Sequence, residues 1–159
     1  HAKTDPSLQT LQRVAAALQV PLSNLLRDDE VKPQVIRRGE RHVIHLGNGG
    51  LRASILSPLP SHNLELVLLE LLPGGVSWTK GRFHEGHECH LVVKGKVRAY
   101  YGDDAYLLEE GDSIFWDGTT PHRLENVGDE GAQIVMALTP PAFLPLEQVD
   151  NGKGAETYV

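Results

Sequence analysis

Residues 84–90 read HEGHECH and carry a dense group of side chains that bind metals and transfer protons. Three histidines, two glutamates and the only cysteine of the chain fall within these seven positions. Imidazole, carboxylate and thiolate groups are the usual ligands of transition metals, and the first two also act as acids and bases. The segment therefore has the side chains for a metal site, and its local conformation decides which of them act together.

A helical conformation of this segment is disfavoured by its own residues. The zinc-protease pattern H-E-x-x-H would require a second histidine at the position of Glu88. Gly86 lies inside the run, and the β-branched HLVV stretch follows it; both features lower helix propensity. We therefore expect a strand that leaves a turn at residues 85 and 86.

A strand over residues 88–94 divides these side chains between two faces, because successive side chains alternate. The inner face is then predicted to carry Glu88, His90 and Val92, and the outer face Cys89, Leu91 and Val93. We expect Cys89 to be a small buried apolar residue. His87 is expected to be exposed, and His84 to fold back toward Glu88 before the turn.

One histidine and one carboxylate are too few for a metal site, so a further ligand has to come from elsewhere in the chain. His122, in the segment GTTPHRLEN, is the natural candidate. Trp78 and Trp116 flank the same segments and are expected to pack in the core or at the rim of a pocket.

The elements that must position these residues are short apolar runs separated by turn signals. Seven runs have strand length: HVIHLG, LRASILS, LELVLLELL, HLVVKGKVRAYY, AYLLEEGDSIFW, HRLENVG and AQIVMALT. Clusters of Gly, Pro, Asn and Asp separate them. This spacing predicts an antiparallel all-β sandwich or barrel. The tail after Pro140 and Pro141 lacks periodicity and is expected to pack loosely over one edge.

The start of the chain has a different pattern. Apolar residues recur at helical spacing after Pro6, a favourable first residue for a helix that Asp5 or Ser7 would cap. A second short turn follows, and residues 27–41 are polar and charge-dense, as in a linker. We therefore place a domain boundary so that residues 1–29 form one part and residues 30–159 the other.

Charge and composition limit the classes of function. The net charge is −6, with residues 1–26 at +1 and residues 27–159 at −7, so any nucleic-acid contact is expected at the N-terminal part. No window approaches the run of about 18 apolar residues that a membrane span requires, so we expect no membrane partner. A single cysteine cannot form an internal disulfide, which favours a cytoplasmic location.

Two segments resemble the motifs of the cupin family. RFHEGHECHLVVKG resembles the first motif, G(X)5HXH(X)3-4E(X)6G, with His84, Glu88 and Gly95 on its second histidine, its glutamate and its last glycine. GDSIFWDGTTPHRLEN resembles the second motif, G(X)5PXG(X)2H(X)3N, with Gly111, His122 and Asn126 on its fixed glycine, histidine and asparagine. The resemblance covers roughly residues 45–140. It implies a small antiparallel cupin barrel, also called a jelly roll or double-stranded β-helix.

The family resemblance implies a metal site formed by His84, Glu88 and His122. Metal-binding cupins use four ligands, and Arg82 stands in this chain where the first histidine is expected. The remaining set of two histidines and one carboxylate can hold Zn, Fe, Mn or Ni with open positions. The alternative is a polar pocket without an ion.

Arg82 and His90 are predicted to line a pocket for a small-molecule effector. A guanidinium at the mouth of a pocket suits an anionic ligand, which it can bind in bidentate fashion. A surface salt bridge is the alternative role for Arg82. His90, on the same strand face as Glu88, is expected to complete the metal site or to donate to the ligand.

The N-terminal segment DPSLQTLQRVAAALQVPLSNLL resembles the last part of the helix-turn-helix domain of XRE (Cro/C1-type) regulators. Together the two resemblances imply a bacterial transcriptional regulator, and a homodimer by analogy. DNA would be contacted through the earlier helix-turn-helix portion, which this chain does not contain. The rival interpretation is a small metal-dependent cupin enzyme, a dioxygenase or an isomerase, because the same ligand set suits such an enzyme.

Overall fold

The computed structural model describes residues 6–18, 20–26, 32–46, 50–61, 63–78 and 81–143. The chain divides into two compact units, with the division between Gln34 and Val35. The sequence-based boundary after residue 29 stays a prediction, because residues 27–31 lie outside the described part. Among the described residues no helix is long and apolar enough to cross a membrane.

The first unit contains the predicted helix and, where a short turn was expected, a second helix of four residues. Helix α1 spans Leu8–Leu18 and helix α2 spans Leu22–Leu25. The Ser7 hydroxyl caps α1 by accepting the backbone N–H of Thr10 at 3.2 Å, which satisfies a donor that has no partner within the helix. Of the apolar residues on α1, only Ala15 is buried.

The second unit is built from antiparallel strands after a 3₁₀ turn at Arg38–Glu40. Its strands are β1 (Val43–Leu46), β2 (Leu51–Ile55), β3 (Glu65–Leu71), β4 (His87–Lys94), β5 (Val97–Tyr101), β6 (Asp104–Leu108), β7 (Ser113–Asp117), β8 (His122–Asn126) and β9 (Ala132–Thr139). They form a six-stranded sheet in the order β1-β2-β3-β9-β4-β7 and a three-stranded sheet in the order β6-β5-β8. The predicted antiparallel all-β architecture is confirmed.

The hydrophobic core consists of the alternate, inward-facing residues of these strands. In β3 and β9 every second side chain is buried, as the period of two requires for strands with one face on a core. The largest fully buried apolar residues are Leu51, Ile55, Val67, Leu71, Val92, Val97, Leu124, Ile134 and Leu138. Each contributes roughly 1.5–3 kcal/mol to stability, and together they fix the strands that carry the polar site.

Strand β4 confirms the predicted alternation and corrects one detail. Glu88, His90 and Val92 are buried, whereas His87 is exposed. Cys89 faces away from Glu88 as predicted, but it is exposed and not buried. The reason is that no described residue covers the outer face of β4, so the alternation that buries Glu88 leaves Cys89 in solvent.

The end of the described chain also differs from expectation. Phe143 is buried, with 6% of its surface exposed, and its backbone N–H donates to Glu65 at 2.9 Å. Ala142 and Phe143 therefore pack against the hydrophobic core and do not lie loosely over an edge. The rest of the predicted loose tail lies outside the described residues.

Candidate metal centre

The structure brings His84, Glu88 and His122 together at one end of the sandwich. His84 precedes β4, Glu88 is the second residue of β4, and His122 begins β8 in the opposite sheet. One ligand atom from each residue lies within 4.8 Å of the others. Glu88 and His122 are each 4% exposed, so the cluster is largely shielded from water.

Glu88 is the centre of the cluster. Its Oε1 lies 2.6 Å from His84 Nε2, and its Oε2 lies 3.2 Å from His122 Nε2. Oε2 also accepts a hydrogen bond from Trp116 Nε1 at 3.0 Å and lies 2.8 Å from His90 Nε2. A buried carboxylate with this many nitrogen atoms around it has its desolvation compensated.

The other nitrogen of two of these imidazoles is held by a backbone carbonyl. His84 Nδ1 lies 2.9 Å from the carbonyl oxygen of Glu85, and His122 Nδ1 lies 2.8 Å from that of Thr120. A carbonyl only accepts, so each Nδ1 carries the proton. In the neutral imidazole the Nε2 lone pair then points at the Glu88 carboxylate.

A lone pair cannot face a carboxylate unless a positive charge lies between them or the imidazole is protonated. A bound divalent cation provides that charge, and hydrogen bonding of the distal imidazole nitrogen to a carbonyl is the usual second contact of a metal-bound histidine. The donor set therefore fits a transition metal held by His84, Glu88 and His122. With three protein ligands, coordination positions remain open.

The electrostatics of the metal-free cluster agree with this geometry. Burial by itself raises the pKa of Glu88, but the hydrogen bonds from His122, His84 and His90 outweigh it and hold that pKa well below its usual range. The hydrogen bond to Glu88 raises the pKa of His84, against the opposing effect of burial. The cluster therefore favours an ionised carboxylate with a positive charge beside it.

His90 lies beside the cluster but does not belong to it. Its Nε2 contacts Glu88, and its ring centroid is 4.6 Å from that of Trp116. Its Nδ1 is buried and has no hydrogen-bond partner among the described residues. The structure therefore places His90 next to Glu88 as predicted, with its Nδ1 unpaired among the described residues.

Sequence reasoning missed the role of Gly118. A Cβ at this position would lie 2.6 Å from Cε1 of His84, so only glycine lets the imidazole lie against the turn. The carbonyl of Gly118 also accepts the N–H of His84 at 2.8 Å. The signal was present, because the cupin motif expects a glycine one residue later, where Thr119 stands.

The turn before His122 is held in a different way from the motif. Asp117 replaces the expected proline, and its Oδ1 accepts the N–H of Thr119 at 2.8 Å and its hydroxyl at 2.6 Å. These hydrogen bonds lower the pKa of Asp117. The side-chain turn constrains the backbone at the position where the cupin motif has a proline.

Arg82 lines the same cavity as the candidate ligands Glu88 and His122. Its backbone pairs with that of His122 through two hydrogen bonds of 2.9 Å. Its guanidinium donates to the backbone carbonyls of Ala142 and Phe143. The cavity that remains has a volume of about 10 Å³, roughly the space of one water molecule. The effector-binding role of Arg82 and His90 stays a prediction.

Comparisons with known proteins agree with the fold. Residues 67–138 match a family model described as a cupin domain. The chain is 21% identical over 114 residues to an uncharacterised protein of Methanocaldococcus jannaschii. The aligned region covers 71% of this chain and 83% of that protein. The matched family range does not include helices α1 and α2.

Two solved structures represent different functional classes. The iron(II) form of HppE superposes with a TM-score of 0.59 at 20% identity, covering 84% of this chain and 76% of that one. The cupin domain of an XRE family transcriptional regulator from Enterobacter cloacae superposes with a TM-score of 0.52 at 18% identity, covering 58% and 99%. At these identities the superpositions establish the fold alone. Together with the family model that matches residues 67–138, they show that the antiparallel sandwich of this protein has the cupin fold.

Proposed function

We propose that this protein is a bacterial transcriptional regulator whose cupin domain binds a divalent transition metal at His84, Glu88 and His122 and senses a small-molecule effector beside it. The observation that carries the metal site is the orientation of the two imidazoles. Both Nε2 atoms face the Glu88 carboxylate, while both Nδ1 atoms lie next to backbone carbonyls. The ligand types suit Zn, Fe, Mn or Ni.

The first unit supports the assignment to regulation. Helices α1 and α2 are separated by Pro21, in the order that the end of an XRE helix-turn-helix domain requires. Leu8, Val14 and Leu18 are exposed although they recur at helical spacing, and such an apolar stripe is usually buried against other helices. A solved XRE family regulator also has a domain of this fold.

In this proposal DNA is bound by a helix-turn-helix domain of which residues 6–26 form the last part, and the protein acts as a homodimer. Paired recognition helices read two half-sites at a fixed spacing. An effector that binds one arrangement of the protomers more tightly shifts the population toward it and changes that spacing. The shift cannot exceed the difference in affinity of the effector for the two arrangements.

The metal site is tested by metal analysis of the protein purified without chelator, reconstituted with Zn²⁺ and dialysed. We expect about one zinc ion per chain in the wild type and a small fraction of that in His122→Ala, because a site of two ligands binds weakly. The matched control is His87→Ala, since His87 is exposed at the start of β4 and stacks on Phe115. Equal zinc content in all three proteins would contradict the assignment of His122.

A metal-dependent enzyme is the second candidate, favoured by one observation. Two histidines and one carboxylate with open positions form the ligand set of non-haem iron oxygenases, and HppE, a cupin-fold neighbour, was solved with iron(II). The coding sequence upstream of His1 discriminates the two candidates. The regulator requires roughly 40 residues of helical pattern with a basic recognition helix there, and their absence would favour the enzyme.

A further inference from the structure

The segment formed by Ala142 and Phe143 lies against the cavity beside the candidate metal ligands. Phe143 is buried and lines this cavity together with Trp78, Arg82 and Glu88. The space left is about 10 Å³, which admits a water molecule but no organic effector. An effector therefore has to displace this segment, and the contacts of the segment indicate what can replace it.

The backbone of the segment occupies the guanidinium of Arg82. Arg82 Nη2 donates to the carbonyl of Ala142, and its Nη1 donates to the carbonyl of Phe143 at 3.3 Å. The two carbonyl oxygens thus accept hydrogen bonds from two guanidinium nitrogens, as the two oxygens of a carboxylate do in a bidentate pair with arginine. Both carbonyls are neutral, and a carboxylate forms hydrogen bonds that are roughly twice as strong.

The ring of Phe143 occupies an aromatic position beside the same guanidinium. Its centroid is 5.9 Å from that of Trp78. Arg82 Cζ lies 5.1 Å from the Trp78 ring centroid and 5.9 Å from the Phe143 ring centroid. An aromatic ring in this place packs on an indole and contacts a cation.

We propose that Ala142 and Phe143 are an internal ligand of the effector pocket and that the effector is a small aromatic carboxylate. Its carboxylate replaces the carbonyls of Ala142 and Phe143 on Arg82, and its ring replaces the ring of Phe143. This inference rests on the proposed sensing function. It adds to that function the chemical class of the effector and the segment that moves when the effector binds.

The probe is benzoate, with acetate and benzyl alcohol as the carboxylate without the ring and the ring without the carboxylate. Binding is followed by tryptophan fluorescence, because Trp78 and Trp116 both line the cavity. We expect saturable binding of benzoate and none of the two fragments in the same concentration range. Equal binding of either fragment would overturn the proposal, as would no binding of benzoate.

Two variants separate displacement of the segment from binding elsewhere. Phe143→Ala removes the competing ring, so benzoate is expected to bind about tenfold more tightly, because the open pocket becomes more populated. Arg82→Lys keeps the charge but loses the bidentate contact, so benzoate is expected to bind at least about tenfold more weakly. Phe83→Ala is the control, since Phe83 adjoins Arg82 in the chain and is exposed. Unchanged affinity in Phe143→Ala or in Arg82→Lys contradicts the proposal.

Hydrogen exchange gives a readout that a purely structural role of Phe143 would not change. The Phe143 amide is bonded to Glu65 in the closed segment, so benzoate is expected to accelerate its exchange, and continued protection at saturation would overturn the displacement. Metal content is measured in the same samples. Failure to bind benzoate with zinc retained rejects the internal ligand alone, whereas loss of the zinc site rejects the proposed function.

Discussion

At the scale of single residues, metal binding depends on which nitrogen of each histidine can act as a ligand. Backbone carbonyls hold the Nδ1 atoms of His84 and His122, so both Nε2 atoms are directed to the Glu88 carboxylate. Trp116 Nε1 holds one oxygen of that carboxylate in place. The carbonyls and the indole thus set the orientation of the three candidate ligands and would do so without binding a metal themselves.

Gly118→Ala tests this positioning at a residue that is not a ligand. The added methyl group would lie 2.6 Å from Cε1 of His84 and would move its ring. We expect zinc affinity to fall by about tenfold or more, measured by competition with a chromogenic chelator. Gly39→Ala is the control, because an added Cβ there meets no atom within 4 Å. Unaltered zinc affinity in Gly118→Ala would show that His84 is not a ligand.

At the scale of elements, most of the fold follows from local pattern, and the site follows only in part. Seven strand-length runs correspond to nine strands in the described part of the chain, because tight turns such as that at Gly95 lie inside two of them. Period two correctly placed Glu88 and His90 on one face. It does not reveal whether another element covers the opposite face, which is why the exposure of Cys89 was missed.

The contacts of Arg82 could not be predicted from the sequence either. Its guanidinium binds carbonyls about sixty positions later in the chain, and no local pattern encodes which backbone groups meet across a sandwich. The buried carboxylate of Glu65 belongs to the same long-range arrangement, because it accepts the N–H of Phe143. Such pairings depend on the path of the segment after β9, where the sequence has no periodicity.

The buried carboxyl of Glu65, which accepts the N–H of Phe143, is expected to make the free energy of unfolding depend on pH. Burial raises the pKa of this carboxyl above its ordinary 4.5, and the backbone N–H groups of Phe143 and Ala142 and the charge of Arg82 offset this only in part. Between 4.5 and the raised pKa the folded state holds more protons than the unfolded state. The free energy of unfolding therefore falls as the pH rises through this window.

The measurement is denaturant unfolding of wild type and Glu65→Gln at a series of pH values from 4 upward. The neutral amide removes this ionisation, so the variant is expected to lose less stability than the wild type as the pH rises. Glu70→Gln, on the outer face of the same strand, controls for the loss of one charge. Parallel pH profiles for wild type and Glu65→Gln would contradict the buried, hydrogen-bonded state of Glu65.

At the scale of the whole molecule, the proposed dimer requires a surface that two identical chains can share. Strand β7 lies at an edge of the six-stranded sheet, where unpaired backbone groups favour pairing with another strand. The outer faces of β4 and β7 expose Leu91, Val93 and Phe115. A two-fold axis can place β7 antiparallel to β7 of a second chain. Both protomers then contribute the same surface to the interface.

Phe115→Lys tests this assignment, because Phe115 is 67% exposed and its replacement leaves the core unchanged. Size-exclusion chromatography with light scattering is expected to give twice the chain mass of 17.5 kDa for the wild type and the single mass for the variant. Leu64→Lys, at another exposed apolar residue, is expected to remain dimeric. A monomeric wild type, or a dimeric Phe115→Lys, would exclude this interface.

The central claim is that His84, Glu88 and His122 hold a transition metal, and X-ray absorption spectroscopy of the zinc-loaded protein tests it most directly. We predict a first shell of nitrogen and oxygen only, at about 2.0–2.2 Å, with the outer-shell scattering of two imidazoles. In His122→Ala the contribution of one imidazole is expected to disappear. A sulfur shell at about 2.3 Å, or an unchanged spectrum in His122→Ala, would contradict the assignment of these ligands.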